Sequence, residues 1–280
     1  MINLNSGDSI VLKIGTEALK EKRKNKIDTK VIKCLCAKTA ELYTQGYKPK
    51  IVTSGAVFKG MEIKGIKERP EKIIKLQYLS GLGQTNLINM YANEFRKKGF
   101  KPFQFLITHK NLENGENRKN IIKIIDMCYA EDENTIPVIN ENDPVSDEEF
   151  KEKIKDEEYY FDDNDTLSYL IAKYSNSSID IMFNPNGGLY DDKDRLINEV
   201  YFNEKKNEEI IRMIEGRDNS PLGRGGITTK VKTCFRCSEN NMYGIIANSE
   251  LITDKEVSFL DMLKNPYKYD MTVFMPKDKK

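Results

Sequence analysis

The stretch Ser9-Ile10-Val11-Leu12-Lys13-Ile14-Gly15-Thr16 reads as a short apolar strand that runs into a polar, glycine-bearing turn. The same unit recurs downstream with helical segments between its copies. The spacing predicts a helix over 29–45 that ends at Gly46, a residue suited to the left-handed cap position. It then predicts a strand over 49–53, one or two helices over 72–98, a strand over 102–107, a helix over 117–130 and a strand over 136–140. Short apolar runs alternating with longer amphipathic ones are the rhythm of an α/β protein with a largely parallel sheet. Ligands of such sheets collect outside the carboxyl ends of the strands. Four of those ends carry suggestive loops, at 13–16, 53–56, 140–143 and near Asn184, and they are expected to lie close together.

Composition narrows the function classes. The chain has 280 residues, 45 Lys+Arg against 44 Asp+Glu, and a net charge of +1. At roughly 150 residues per domain this is one large or two small domains with a substantial core. The charge balance argues against binding nucleic acid by bulk electrostatics. Apolar runs such as Ile136-Pro137-Val138-Ile139 fall far below the roughly 20 residues needed to cross a bilayer, and residues 1–8 lack the pattern of a secretory signal. Five cysteines fit reduced thiols of a cytoplasmic protein. Cys234 and Cys237 form a lone C-x-x-C without the further ligands of a zinc site. With His109 as the single histidine, triads and multi-histidine metal sites are hard to build.

The loops suggest anion and ammonium chemistry. Pro221-Leu222-Gly223-Arg224-Gly225-Gly226-Ile227-Thr228-Thr229-Lys230 runs into a helix predicted at Val231. Its glycines permit close backbone approach, a helix start attracts anions, and Lys230 adds positive charge. It lacks Walker A spacing, and by itself it is equally readable as a glycine-rich turn. Lys13 with Gly15 has the same logic, against the alternative of a strand-edge lysine reaching for water. Ser54, without a histidine partner, suits ligand contact better than nucleophilic attack. Asn140-Glu141-Asn142-Asp143 and Asp162-Asp163-Asn164-Asp165 combine groups able to hold an ammonium, to organise lysines or to bind Mg2+ through water. A solvated acidic loop is the plainer alternative.

Taken in chain order, several blocks resemble the amino acid kinase family, in particular its glutamate 5-kinases. They are Val11-Leu12-Lys13-Ile14-Gly15-Thr16, Ile51-Val52-Thr53-Ser54-Gly55-Ala56 with Gly60, and Leu76-Gln77 through Gly83-Gln84. Ile136 through Asp143, Asp163-Asn164-Asp165, Gly188-Leu189-Tyr190 and Gly223 through Lys230 follow. The resemblance implies an open αβα sandwich with a mainly parallel central sheet. It implies one amino acid kinase domain over 1–280, with about 1–175 binding the amino acid and about 176–270 binding ATP; the C-terminal accessory domain that many members carry is not expected here.

The implied activity is ATP-dependent phosphorylation of the side-chain carboxylate of L-glutamate, the first step of proline biosynthesis, in the cytoplasm and with Mg2+. The implied assembly is a homo-oligomer, dimer or tetramer, without nucleic acid or membrane partners. Lys13, Asp165 and Lys230 would be catalytic, and Ser54, Asn140, Asp143 and Asn164 would bind substrate. Lys13, Gly15, Arg224, Gly225, Gly226, Thr229 and Lys230 would bind nucleotide, with no metal ligand from the protein. Phosphoryl transfer needs positioning and charge stabilisation more than an acid or base, which suits a chain poor in histidine. Asn184-Pro185 stands where the family more often has Thr-Asp, and Arg224 where a small hydroxyl residue is usual. Two alternatives follow: a kinase of another carboxylate or a carbamate, and a catalytically silent regulatory homologue.

Overall fold

In a computed structural model, residues 2–22, 24–130, 134–146, 164–215 and 226–279 are described. The strands are β1 (Ser9–Ile14), β2 (Lys48–Thr53), β3 (Lys101–Ile107), β4 (Thr135–Glu141), β5 (Ile179–Asn184), β6 (Leu189–Tyr190), β7 (Leu196–Ile197), β8 (Glu199–Val200), β9 (Tyr243–Asn248) and β10 (Met271–Phe274). The helices are α1 (Thr16–Leu19), α2 (Thr29–Thr44), α3 (Ala56–Lys64), α4 (Ile73–Arg96), α5 (His109–Glu113), α6 (Gly115–Met127), α7 (Asn164–Tyr174), α8 (Glu204–Glu215), α9 (Ile227–Glu239) and α10 (Phe259–Lys264).

Eight strands form one sheet in the order β3-β4-β2-β1-β5-β9-β10-β8, and β6 pairs with β7 separately. Six strands from β3 to β9 are parallel, and the reversal falls between β9 and β10. The expected αβα sandwich is present. Because side chains alternate along a strand, Ile10, Leu12 and Ile14 of β1 join the core under α2 and α4. Val11 enters the opposite core with Leu167 and Ile171 of α7. Helix α7 lies deep in that layer, buried at every position from Asn164 to Ala172. Its burial sets the depth of everything at its first turn.

Two helices start two or more residues before their expected positions. Helix α9 begins at Ile227, one turn before the expected Val231, because Gly226 adopts an extended cap conformation and the Thr229 hydroxyl donates to its carbonyl at 3.1 Å. Helix α6 begins at Gly115, since the Asn114 side chain accepts from the amides of Glu116 and Asn117. Segment 72–98 is a single long helix, α4. Gly46 has φ 86, as its cap position requires. The contact between α3 and α4 has no room for side chains at two glycines. A Cβ on Gly83 would lie 1.9 Å from the Ala56 carbonyl oxygen, and one on Gly60 would lie 2.0 Å from that of Leu79.

Candidate active site

Lys13 is the fifth residue of β1, on the same face as Val11, and β1 is held between β2 and β5. A strand-edge lysine is therefore excluded. Buried so deeply, an ammonium requires a counter-charge, and Asp165 supplies it. The first turn of α7 sets Asp165 against the end of β1, where Lys13 Nζ forms an ion pair with Oδ1. Lys230, in the first turn of α9, reaches the other oxygen, with Nζ 3.2 Å from Oδ2. Relative exposures of 3%, 0% and 5% for Lys13, Asp165 and Lys230 leave little water to screen the three charges. Burial alone would raise the Asp165 carboxyl, but Lys13 and Lys230 together outweigh it and hold the group below its ordinary value. The result is one carboxylate that fixes two ammonium groups from different parts of the chain. Gly15 keeps the approach narrow but open, for a Cβ there would stand 3.4 Å from Lys13 Nζ.

Beside this triad the residues expected to bind substrate converge. The Ser54 amide donates to the Ile14 carbonyl at 3.0 Å, tying the loop after β2 to that after β1. Asn164 Nδ2 donates to Ser54 Oγ at 2.8 Å. Asn140 Nδ2 donates to Gln84 Oε1 at 2.8 Å, and the Ser80 hydroxyl donates to Asp143 Oδ2. Asn140, Asp143 and Asn164 line one pocket. The pocket pairs a buried carboxylate, suited to an ammonium, with donors suited to carboxylates.

Other lining residues were not among the expected ones: Thr16, Gly55, Ala56, Val57 and Arg69. Gly55 takes a left-handed conformation, φ 103, and as the cap residue of α3 it makes no side-chain cap hydrogen bond, so the first amides of the helix are left for the pocket that Ala56 and Val57 line. Ser80 and Gln84 were also missed, although a signal exists. They are polar residues on the buried stripe of α4 formed with Leu76, Leu79, Gly83 and Leu87, where a polar side chain needs a partner.

For the nucleotide, Gly226 caps α9 without a side-chain cap, and Thr229 and Lys230 follow in its first turn. Arg224 and Gly225 lie outside the described residues, as do Asp162, Asp163 and most of the charged segment after Pro144. Asn184 closes on its own loop, Nδ2 donating to the Gly187 carbonyl at 2.7 Å. His109 Nε2 lies 3.4 Å from Glu141 Oε2, both buried. The five cysteines are free thiols. Burial pushes Cys234 and Cys237 well up, away from the reactive thiolate form. Among the described residues no group of three or more His, Cys, Asp or Glu is placed to hold a metal ion, and no helix is long and apolar enough to cross a membrane.

A mainly parallel sheet with two lysines and a carboxylate at the strand ends defines a phosphoryl-transfer class, and comparison with known proteins places the chain within it. The chain belongs to the amino acid kinase family, whose sequence profile matches residues 8–248. It is 32% identical over 269 residues to the glutamate 5-kinase of Lactococcus lactis subsp. lactis (strain IL1403), covering 91% of this chain and 93% of that protein. It is 33% identical over 273 residues to the glutamate 5-kinase of Aquifex aeolicus (strain VF5), covering 97% of this chain and 70% of that one. Among solved structures, carbamate kinase from Giardia matches with a TM-score of 0.61 at 15% identity, covering 97% of this chain and all of that one. UMP kinase from Ureaplasma parvum matches at 0.56 and 16%, covering 96% of each. These two likenesses concern the fold.

Proposed function

We propose that the protein transfers the γ-phosphoryl group of ATP to the side-chain carboxylate of L-glutamate, giving an acyl phosphate for proline biosynthesis in the cytoplasm. The observation that carries this reading is the buried pairing of Lys13 and Lys230 on Asp165, beside a pocket furnished with Asp143, Asn140 and Asn164. The phosphoryl group in flight carries concentrated negative charge, and catalysis consists of positioning the reactants and stabilising that charge. Lys13 and Lys230 face it with ammonium groups whose places are set before substrate arrives, so little reorganisation is needed during reaction. Asp165 is the positioning group for both lysines. A glutamate carboxylate is already ionised at neutral pH, which removes any need for a general base.

Asp143 suits the substrate ammonium, with Ser80 fixing its orientation. The amides at the start of α3, together with Arg69, suit carboxylate recognition. The start of α9 at Gly226, a cap residue without a side chain, with Lys230 in its first turn, fits the ATP phosphates. Mg2+ would be held chiefly by phosphate oxygens and water, and it would supply charge neutralisation.

The test is incubation with ATP, Mg2+, L-glutamate and hydroxylamine, which traps the acyl phosphate as a hydroxamate. Glutamyl hydroxamate above a Lys13→Ala control is expected. ATP binding without product would refute glutamate as the acceptor, and absence of both would refute the kinase.

A further inference from the structure

Asp180 lies behind the site and has no part in the mechanism above. It stands on β5, opposite Val11 of β1 on one side and Gly244 of β9 on the other. Its side chain is fully buried beneath α7 and α9. Ser168 Oγ, one turn along α7, lies 2.8 Å from the Asp165 carbonyl oxygen and 2.9 Å from Asp180 Oδ2. A serine hydroxyl has one hydrogen to give, and a backbone carbonyl can only accept. With that hydrogen on the Asp165 carbonyl, the contact to Asp180 is a hydrogen bond only when Asp180 carries a proton and donates it. Among the described residues Asp180 Oδ1 has no hydrogen-bond partner, a heavy penalty for a carboxylate and a far smaller one for a neutral acid.

The surroundings agree. Facing Asp180 are Asp165 from α7, Lys13 from β1, and Cys234 and Cys237 from α9, while β9 offers Gly244 without a side chain. Lys230 of α9 is engaged on Asp165 Oδ2. Burial pushes the Asp180 carboxyl up to about 7, with Asp165 adding to the rise and the Ser168 hydroxyl and Lys13 opposing it.

We propose that Asp180 is a positioning residue, kept as a neutral carboxylic acid that donates to Ser168, so that Ser168 donates to the Asp165 carbonyl and fixes the first turn of α7. This rests on the reading of Asp165 as the holder of the two lysines. On deprotonation the proton leaves for solvent and the Ser168 hydrogen turns to the new carboxylate. The Asp165 carbonyl then loses its side-chain donor, and a second negative charge appears behind Asp165. Turnover accordingly declines as the pH rises through neutrality.

The test compares wild type with Asp180→Asn, whose amide donates to Ser168 without ionising, and with Asp180→Leu, which cannot donate. Wild-type kcat is expected to fall through an inflection near pH 7 to a plateau about tenfold lower. Asp180→Asn should keep the high value throughout, and Asp180→Leu should sit at the low value throughout, both with unchanged KM for ATP. Two readouts need no acceptor substrate. The infrared carbonyl band of a buried carboxylic acid at about pH 6 should be present in wild type and absent from Asp180→Asn. The urea midpoint of wild type should fall between about pH 4 and pH 7, and that of Asp180→Asn should not. A missing band overturns the neutral acid. A wild-type alkaline limb in Asp180→Asn, or wild-type kcat in Asp180→Leu, overturns the positioning role. If glutamate is not phosphorylated, the proposed function fails, while the band and the urea profiles still decide where the proton resides.

Discussion

Asp165→Asn isolates the central claim about the site, because it preserves shape and removes one charge. Lys230 Nζ stands 3.2 Å from Oδ2. At an effective dielectric constant near 20, two unit charges at that distance attract by about 5 kcal/mol, and Lys13 adds a second pairing on the other oxygen. The loss on substitution is smaller than the sum of the two, because the intact cluster has already lost the hydration of three charges. Breaking a buried pair costs about 3–5 kcal/mol. At roughly 2–4 °C per kcal/mol for a chain of this size, Tm should fall by about 6–20 °C.

Two ammonium groups without a counter-charge then make ATP a replacement partner. ATP should raise the Tm of Asp165→Asn more than that of wild type, while kcat falls at least about 100-fold and KM for ATP stays level or drops. Urea and thermal unfolding with and without ATP, together with hydroxamate kinetics, measure all four quantities. Stability within about 1 kcal/mol of wild type would show that the lysines do not depend on Asp165. A KM for ATP rising in step with the loss of kcat would show that Asp165 binds nucleotide instead.

Other perturbations reach different parts of the argument. Gly83→Ala drives a methyl group to 1.9 Å from the Ala56 carbonyl, so α3 must move away from α4. A loss of about 1–3 kcal/mol or more is expected in urea unfolding, with a raised KM for glutamate because Ala56 and Val57 line the pocket proposed for it, and an unchanged KM would separate α3 from substrate binding. Asp143→Asn should raise KM for glutamate about 10- to 100-fold and leave KM for ATP alone; equal effects on both in steady-state kinetics would remove its assignment to the substrate ammonium. Lys50 is wholly buried, donates to Ser9 Oγ, and is lowered by burial to about 7. Its folded value lies below its unfolded one, so the unfolded chain holds the extra proton between about pH 7 and pH 10 and stability rises with pH there. Lys50→Met should therefore stabilise by up to about 4 kcal/mol near pH 7 and progressively less toward pH 10, and a pH-independent difference in urea midpoints would contradict the lowered value.

Much of the fold was legible because apolar strands and amphipathic helices have different periods, and β1, β2, β3 and β4 lie within a residue or two of their expected limits. The strand ends were legible for a related reason, since Lys13, Ser54 and Asn140 each lie in or just after an apolar run, whereas Asn164 opens helix α7. Illegible was the polar content of the buried layer. A period of two says that Ser9, Val11 and Lys13 share a face, but not that α7 covers the face so fully that each polar group there needs an internal partner. Lys50 and Asp180 are both in register with Val11, on neighbouring strands to either side of it; Asp180 interrupts an apolar run and Lys50 stands just before one. The sequence distinguishes neither from a surface residue. Their partners do: Lys50 donates to Ser9, whose hydroxyl lies 2.6 Å from that of Ser177, whereas Asp180 meets Ser168 and, through it, the backbone of Asp165. One buried titratable group thus leads away from the chemistry and the other into it, and tertiary contact, which periodicity does not encode, decides which is which.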